Sequence, residues 1–225
     1  MNKVLFWDFD GTLVYSNESF VESLTRALAD YEYSVEKETV RNFMKNTCSW
    51  YMPEKEYTDR TGELWWEDIR KKFSSFCAVN NISGETKVPV FERFKNYAIT
   101  YSYKPYEDAG TVLEACRKRG FQNYILSNNF PELRDTVREF HWEHLFTDYF
   151  LSTEIGYEKP RTEIFDYALE KSGNPEIVFM IGDNPVADIK GAKEAGIPAI
   201  LVHRNAPDCG ADASLKELTD LLNIL

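Results

Sequence analysis

Two aspartates one residue apart, Asp8 and Asp10, follow the unbroken apolar run Val4-Leu5-Phe6-Trp7 and precede Gly11-Thr12-Leu13. Such a run fits a strand buried on both faces. Strand residues i and i+2 point to the same side, so the two carboxylates share one face. Gly11 then lets the backbone turn where the strand ends. Carboxylates this close resist ionising together unless a cation or a shared proton intervenes. Magnesium meets that need, because it prefers oxygen ligands and often takes one or two carboxylates together with substrate phosphate. A D-x-D pair alone is commonly two solvated acids before a turn, so the elements around it must decide its meaning.

Those elements alternate. After Lys104-Pro105-Tyr106, Asp108 is placed to cap a helix carrying Val112, Leu113 and Cys116, ended by Gly120. Tyr124-Ile125-Leu126 reads as a short buried strand running into Ser127-Asn128-Asn129, with a helix on Leu133, Val137 and Phe140 behind Pro131. Tyr149 to Leu151 is a further strand, and Lys159-Pro160 opens a helix carrying Ile164, Phe165, Ala168 and Leu169. Val178 to Ile181 is again wholly apolar and ends in Gly182-Asp183-Asn184. A helix of small residues from Ala187 to Ala195 follows, then a last strand, Ala199 to Val202. Ser214 and Glu217 form a capping-box pattern ahead of Leu218, Leu221 and Leu222. Asp208 to Ala211 reads as a loop. Strands alternating with helices predict right-handed crossovers and a parallel sheet covered on both faces, an α/β architecture.

The stretch from Asn17 to about Ser102 differs. Phe20, Leu24, Ala27, Leu28 and Tyr31 recur at helical spacing. Further helices are predicted on Val40, Phe43 and Met44, on Leu64 to Phe76, and on Phe91 to Tyr101. Asn46 to Gly62 lacks periodicity and is long for a plain connection, which points to a functional or mobile loop. The chain therefore divides into 1–15 plus 103–225 as an α/β core and 16–102 as a helical insert.

Composition narrows the classes. The chain has 225 residues, 43% of them hydrophobic, enough for a full core. A net charge of −11 argues against a general grip on nucleic acid. It leaves room for a small anion, because a metal and a lysine reverse the field locally. Cys48, Cys77, Cys116 and Cys209 are scattered without a C-x-x-C pair, so reduced thiols are expected rather than zinc or disulfides. Met1-Asn2-Lys3 leads straight into the first strand without a signal peptide, and no apolar run approaches membrane-spanning length. A cytoplasmic protein without nucleic-acid polymer or membrane partners, monomeric or a small homo-oligomer, is the expectation.

In open parallel sheets ligands bind outside the carboxyl ends of the strands, where Asp8/Asp10, Ser127/Asn128 and Asp183 stand, with Lys159 in a neighbouring loop. Together these clusters resemble the motifs of the haloacid dehalogenase superfamily. D-F-D-G-T-L matches its first motif, Ser127 in I-L-S-N-N the second, Lys159 in E-K-P the third, and G-D-N-P-V-A-D at Gly182 to Asp188 the fourth. The resemblance implies a Rossmann-like, doubly wound parallel sheet with an inserted helical-bundle cap of the family's first class. It implies that Asp8 is the nucleophile, forming an aspartyl-phosphate, and that Asp10 is the general acid and base. Mg²⁺ would be held by the carboxylates of Asp8 and Asp183 and the backbone carbonyl of Asp10. Asp188 and Asn184 would support that centre from behind, Asp188 either towards the metal or by orienting Lys159. Ser127, Asn128 and Lys159, with the backbone around Gly11 and Thr12, would hold the phosphoryl oxygens.

An acid at position 10 separates this chain from the carbon–halogen-cleaving members, which resemble the fold but lack it. Gly-Asp-Asn in the fourth motif, where the related mutases usually carry Glu-Asp, favours hydrolysis over phosphosugar mutation. A phosphatase acting on a nucleoside monophosphate, a sugar phosphate or a phosphoglycolate-like acid is implied; a non-catalytic phospho-ligand binder is the third alternative. Substrate choice is expected in the insert, with Arg41, Lys45, Trp50, Tyr51, Lys55 and Arg60 as candidates. His141, His144 and His203 fall outside the four clusters and read as structural or surface residues.

Overall fold

The computed structural model describes residues 2–225. β1 (Lys3–Trp7) lies near the middle of a six-stranded sheet with β2 (Gln122–Ser127), β3 (Asp148–Leu151), β4 (Ile177–Gly182), β5 (Ala199–Val202) and β6 (Ala213–Leu215). The order is β3-β2-β1-β4-β5-β6, with every pairing parallel. Trp7 stands opposite both Ile125 and Ile181, so Ser127 at the end of β2, and Asp8 and Asp183 just beyond β1 and β4, emerge at one edge of the sheet. The apolar run divides by parity: Leu5 and Trp7 join one core cluster, Val4 and Phe6 the other.

Four α-helices of the insert come between β1 and the rest of the sheet, α1 (Ser19–Ala29), α2 (Lys37–Lys45), α3 (Glu63–Val79) and α4 (Lys87–Ile99), with a 3₁₀ turn at Ser49–Tyr51. The chain enters and leaves this insert along paired segments, Tyr15 donating its amide to Lys104 O at 2.9 Å. The core's own helices are α5 (Ala109–Lys118), α6 (Leu133–Glu139), α7 (Ser152–Ile155), α8 (Thr162–Lys171) and α9 (Gly191–Glu194), with a π-helical turn at Pro185–Lys190 leading into α9. The single helix predicted over Ala187 to Ala195 is thus two, a wide turn and a short α-helix.

The C-terminal part also differs from expectation. Ser214 sits in β6, an edge strand too short for periodicity to reveal, and caps nothing. The capping box belongs instead to Glu217 and Asp220, at the start of a 3₁₀ helix over Leu218–Asn223. Asp108 precedes α5 without a side-chain capping bond; its carboxylate accepts from Thr219 N at 2.9 Å, tying that 3₁₀ helix to the core. His203 stacks on Tyr106 at 3.8 Å between centroids, and its Nε2 lies 3.1 Å from Thr12 O. Among the described residues, no helix is long and apolar enough to cross a membrane.

Candidate active site

Asp8 leaves the sheet directly after β1, its amide still bonded to Ile181 O at 2.9 Å, so its backbone is held by the sheet. Its Oδ1 accepts from Ser127 Oγ at 2.8 Å and from Lys159 Nζ at 2.9 Å. Lys159 is itself buried and donates also to Asp188 Oδ1 at 2.6 Å and Leu126 O at 2.8 Å. Burial works against its charge, but Asp188 and Asp8 more than offset that and hold its pKa above the ordinary lysine value. A buried ammonium with three acceptors is positioned as well as charged.

The lysine's backbone is fixed by Asn128, whose side chain accepts from Lys159 N at 2.7 Å and donates to Lys159 O at 2.9 Å. The second polar cluster therefore supplies one residue, Ser127, to Asp8 and another, Asn128, to the loop carrying Lys159.

Asp10 turns away from this group. Its Oδ1 accepts from Asn17 Nδ2 and its Oδ2 from Asn129 Nδ2, each at 2.8 Å. Burial pushes its pKa up to about 6; the Asn17 amide pulls against that, and the negative charge of Asp8 adds to it. The two acids of the D-x-D pair are thus differently equipped, Asp8 anchored by a cation and a hydroxyl, Asp10 by two neutral amides.

Asp183 follows β4 and is pushed up to about 6 by burial and then by the charge of Asp8, with Arg204 pulling the other way. Its carboxylate occupies the space above Gly11. A Cβ on Gly11 would lie 2.5–2.8 Å from the Asp183 carboxylate atoms, and Gly11 has φ +82°. Only glycine meets both conditions. Gly182 is constrained similarly, since a Cβ there would collide with the Asp188 carboxylate.

Asp8, Asp183 and Asp188 are all buried, with one carboxylate oxygen of each within 4.8 Å of the others. Three buried acids with Lys159 and Arg204 as their ion-pair cations leave little spare positive charge. The donor atoms are all hard oxygens, without nitrogen or sulfur. That set fits Mg²⁺ and does not suit zinc or copper. Asn184 faces the same region from the turn above, its Oδ1 accepting from the amides of Val186 and Ala187 at 2.9 and 3.0 Å.

Asp8, Asp10, Ser127, Asn128, Lys159, Asp183, Asn184 and Asp188 all line one cavity of about 530 Å³. Gly11 and Thr12 do not. Their amides are engaged within the turn, Gly11 N with Val14 O at 2.8 Å and Thr12 N with Phe9 O at 3.2 Å, so this geometry leaves neither for a phosphoryl oxygen. The insert contributes Phe20, Arg41, Trp50 and Tyr51 to the wall. Lys45 is exposed elsewhere, and Lys55 and Arg60 border a separate cavity of about 210 Å³ within the insert. Asn17, Asn129 and Arg204 are site residues that sequence reasoning missed. Asn129 follows the second cluster directly and is the one its position could have marked.

The profile of the haloacid dehalogenase-like hydrolases matches residues 2–196. Over 125 residues the chain is 33% identical to a phosphoserine phosphatase of Thermus thermophilus, covering 53% of this chain and 50% of that protein. Over 111 residues it is 38% identical to the pyrimidine 5'-nucleotidase YjjG of Escherichia coli, covering 44% and 48%. The chain spans about half the length of these curated relatives. Its fold is similar to that of YfnB from Bacillus subtilis, solved bound to magnesium, with a TM-score of 0.77 at 19% identity over 100% of this chain and 98% of that one.

Proposed function

The chain belongs to the haloacid dehalogenase-like hydrolase family, and from that premise we propose that it is a magnesium-dependent phosphomonoester hydrolase acting on a small phosphorylated metabolite. The observation that carries this reading is the division of labour between Asp8 and Asp10, two residues apart on one strand end yet held by different partners. Ser127 and Lys159 converge on Oδ1 of Asp8, so Oδ2 is the oxygen left to attack phosphorus. As the new P–O bond to Asp8 forms, the bond to the ester oxygen breaks, and Asp10 delivers a proton to that leaving oxygen. Asp10 then removes a proton from a water that attacks the aspartyl-phosphate, breaking the P–O bond to Asp8 and releasing phosphate. A carboxyl pushed up to about 6 is suited to carry that proton in both directions near neutrality.

Lys159 and Ser127 would bind the phosphoryl oxygens, and Asn128 keeps the lysine's backbone in place. Asp8 and Asp183, with the carbonyl of Asp10, would hold Mg²⁺, which supplies charge neutralisation for the phosphoryl group. Asp188 serves as the partner of Lys159.

A cavity of about 530 Å³ suits a metabolite rather than a polymer. The relatives named for phosphoserine and pyrimidine nucleotides support small phosphomonoesters of that size. The deciding experiment is phosphate release over a panel of nucleotides, sugar phosphates and short phospho-acids, with Mg²⁺ and with EDTA. Release only with Mg²⁺ is expected. Equal rates in EDTA would remove the metal, and isomerisation of a sugar phosphate without release would replace hydrolysis by mutation.

A further inference from the structure

Three cations line the cavity: Lys159, Arg41 and Arg204. Lys159 is held by Asp8 and Asp188, and Arg41 by Glu18 and Glu38. Arg204 stands in the segment after β5 with Nη2 2.6 Å from Asp183 Oδ2, and among the described residues Asp183 is its one ion-pair partner. Its side chain is 50% exposed while that of Asp183 is 6% exposed, so the arginine has room to move and the carboxylate has none. Gly11 closes Asp183 in from the other side.

We propose that Arg204 is a displaceable counter-ion of Asp183, which gives up that carboxylate when a divalent cation binds and then turns its guanidinium to an anionic oxygen of the substrate. The proposal rests on Asp183 being a metal-holding acid. Its physical basis is simple. Asp183 and Asp8 are buried together and need positive charge nearby, which Arg204 supplies through its ion pair with Asp183. A guanidinium and a divalent cation on one carboxylate repel each other, and the half-exposed one yields. A freed guanidinium in the same cavity offers a planar fork suited to phosphate or carboxylate oxygens. Arg204 would therefore oppose metal binding and favour anion binding, an order in which the metal comes first and the phosphomonoester second.

The test is a Mn²⁺ titration of the full chain without substrate, following free Mn²⁺ by electron paramagnetic resonance. Arg204→Ala is expected to bind Mn²⁺ about tenfold more tightly than wild type, the effect of removing one charged hydrogen bond that competes for the site. Arg41→Ala, which removes a cavity cation that does not touch Asp183, should stay within about twofold. With Mn²⁺ bound, inorganic phosphate should bind Arg204→Ala more weakly than wild type, so that one substitution moves two affinities in opposite directions. A merely structural role would weaken both. Unchanged Mn²⁺ affinity in Arg204→Ala, equal tightening in Arg41→Ala, or unchanged phosphate affinity each overturns the displacement. Failure of the wild type itself to bind Mn²⁺ overturns the metal reading along with it.

Discussion

Asp8 and Asp10 differ by what touches them, and each difference can be measured. Asp8→Asn preserves shape but removes the attacking oxygen. Activity should fall by roughly three orders of magnitude or more, with an unchanged circular dichroism spectrum. The amides of Asn17 and Asn129 stabilise the charged form of Asp10, so they lower its pKa against the burial that raises it. Removing one donor should therefore move the pH–rate limb belonging to Asp10 upward. Asn17→Ala is expected to lower kcat about tenfold as well, in line with a lost hydrogen bond to a charged group. A downward or absent shift would show that Asp10 is not the group titrating in that limb. Asp8, Ser127, Lys159 and Asp183 were legible because each stands at the end of an apolar strand or beside a helix start, where position alone marks it. Asn17 and Arg204 were not, since a single polar residue in an irregular segment carries no periodic signal. Gly11 and Thr12 show the converse: the motif names them, but their amides are already committed to the turn.

At the scale of elements, the stretch from Asn46 to Gly62 reads as a functional or mobile loop, and it docks on the core segment that carries Lys159. Tyr57 N donates to Gly156 O at 3.0 Å, Gly62 N to Thr153 O at 2.8 Å, and Arg161 Nη1 to Glu54 O at 2.9 Å. The hydroxyl of Tyr57 also donates to Glu158, which is fully buried and whose other carboxylate oxygen has no partner. Such pairings between distant segments leave no mark in local sequence pattern. Neither does β6, whose three residues are held by β5 rather than by their own periodicity. Tyr57→Phe should destabilise the protein by about 1–3 kcal/mol, the usual cost of leaving a buried polar group unpaired. Burial raises the pKa of Glu158 above its ordinary 4.5. The native state therefore holds that proton more tightly than the unfolded chain, and stability is lost as pH rises through the raised value. Glu158→Gln has no such proton to lose. Its stability relative to wild type should grow in urea denaturation as pH rises above the ordinary carboxylate value, and a constant difference would contradict the assignment.

Across the whole molecule, the insert and the sheet share one apolar cluster. Phe20 on α1 stacks on Trp66 of α3 at 5.7 Å and lies 5.8 Å from Phe130 of the core, and Trp66 Nε1 donates to Glu132 at 3.0 Å. The alternating core and the helical insert were both readable from spacing, whereas this shared interface depends on contacts far apart in the chain. A continuous cluster predicts one cooperative transition, with far-UV dichroism and tryptophan fluorescence coinciding. Phe20→Ala should lower stability by about 3 kcal/mol. Separate transitions would mean that the insert folds independently of the sheet. Because Phe20 also lines the cavity, the packing that joins the two parts also shapes the site.

The proposed mechanism requires that Asp8 itself becomes phosphorylated. It is tested most directly by acid-quenching the enzyme during turnover of an aryl phosphate with Mg²⁺ and mapping the modification by peptide mass spectrometry. A phosphoryl group is expected on Asp8, absent with EDTA and in Asp8→Asn. Turnover that persists in Asp8→Asn, or a phosphoryl group found on another residue, would contradict it.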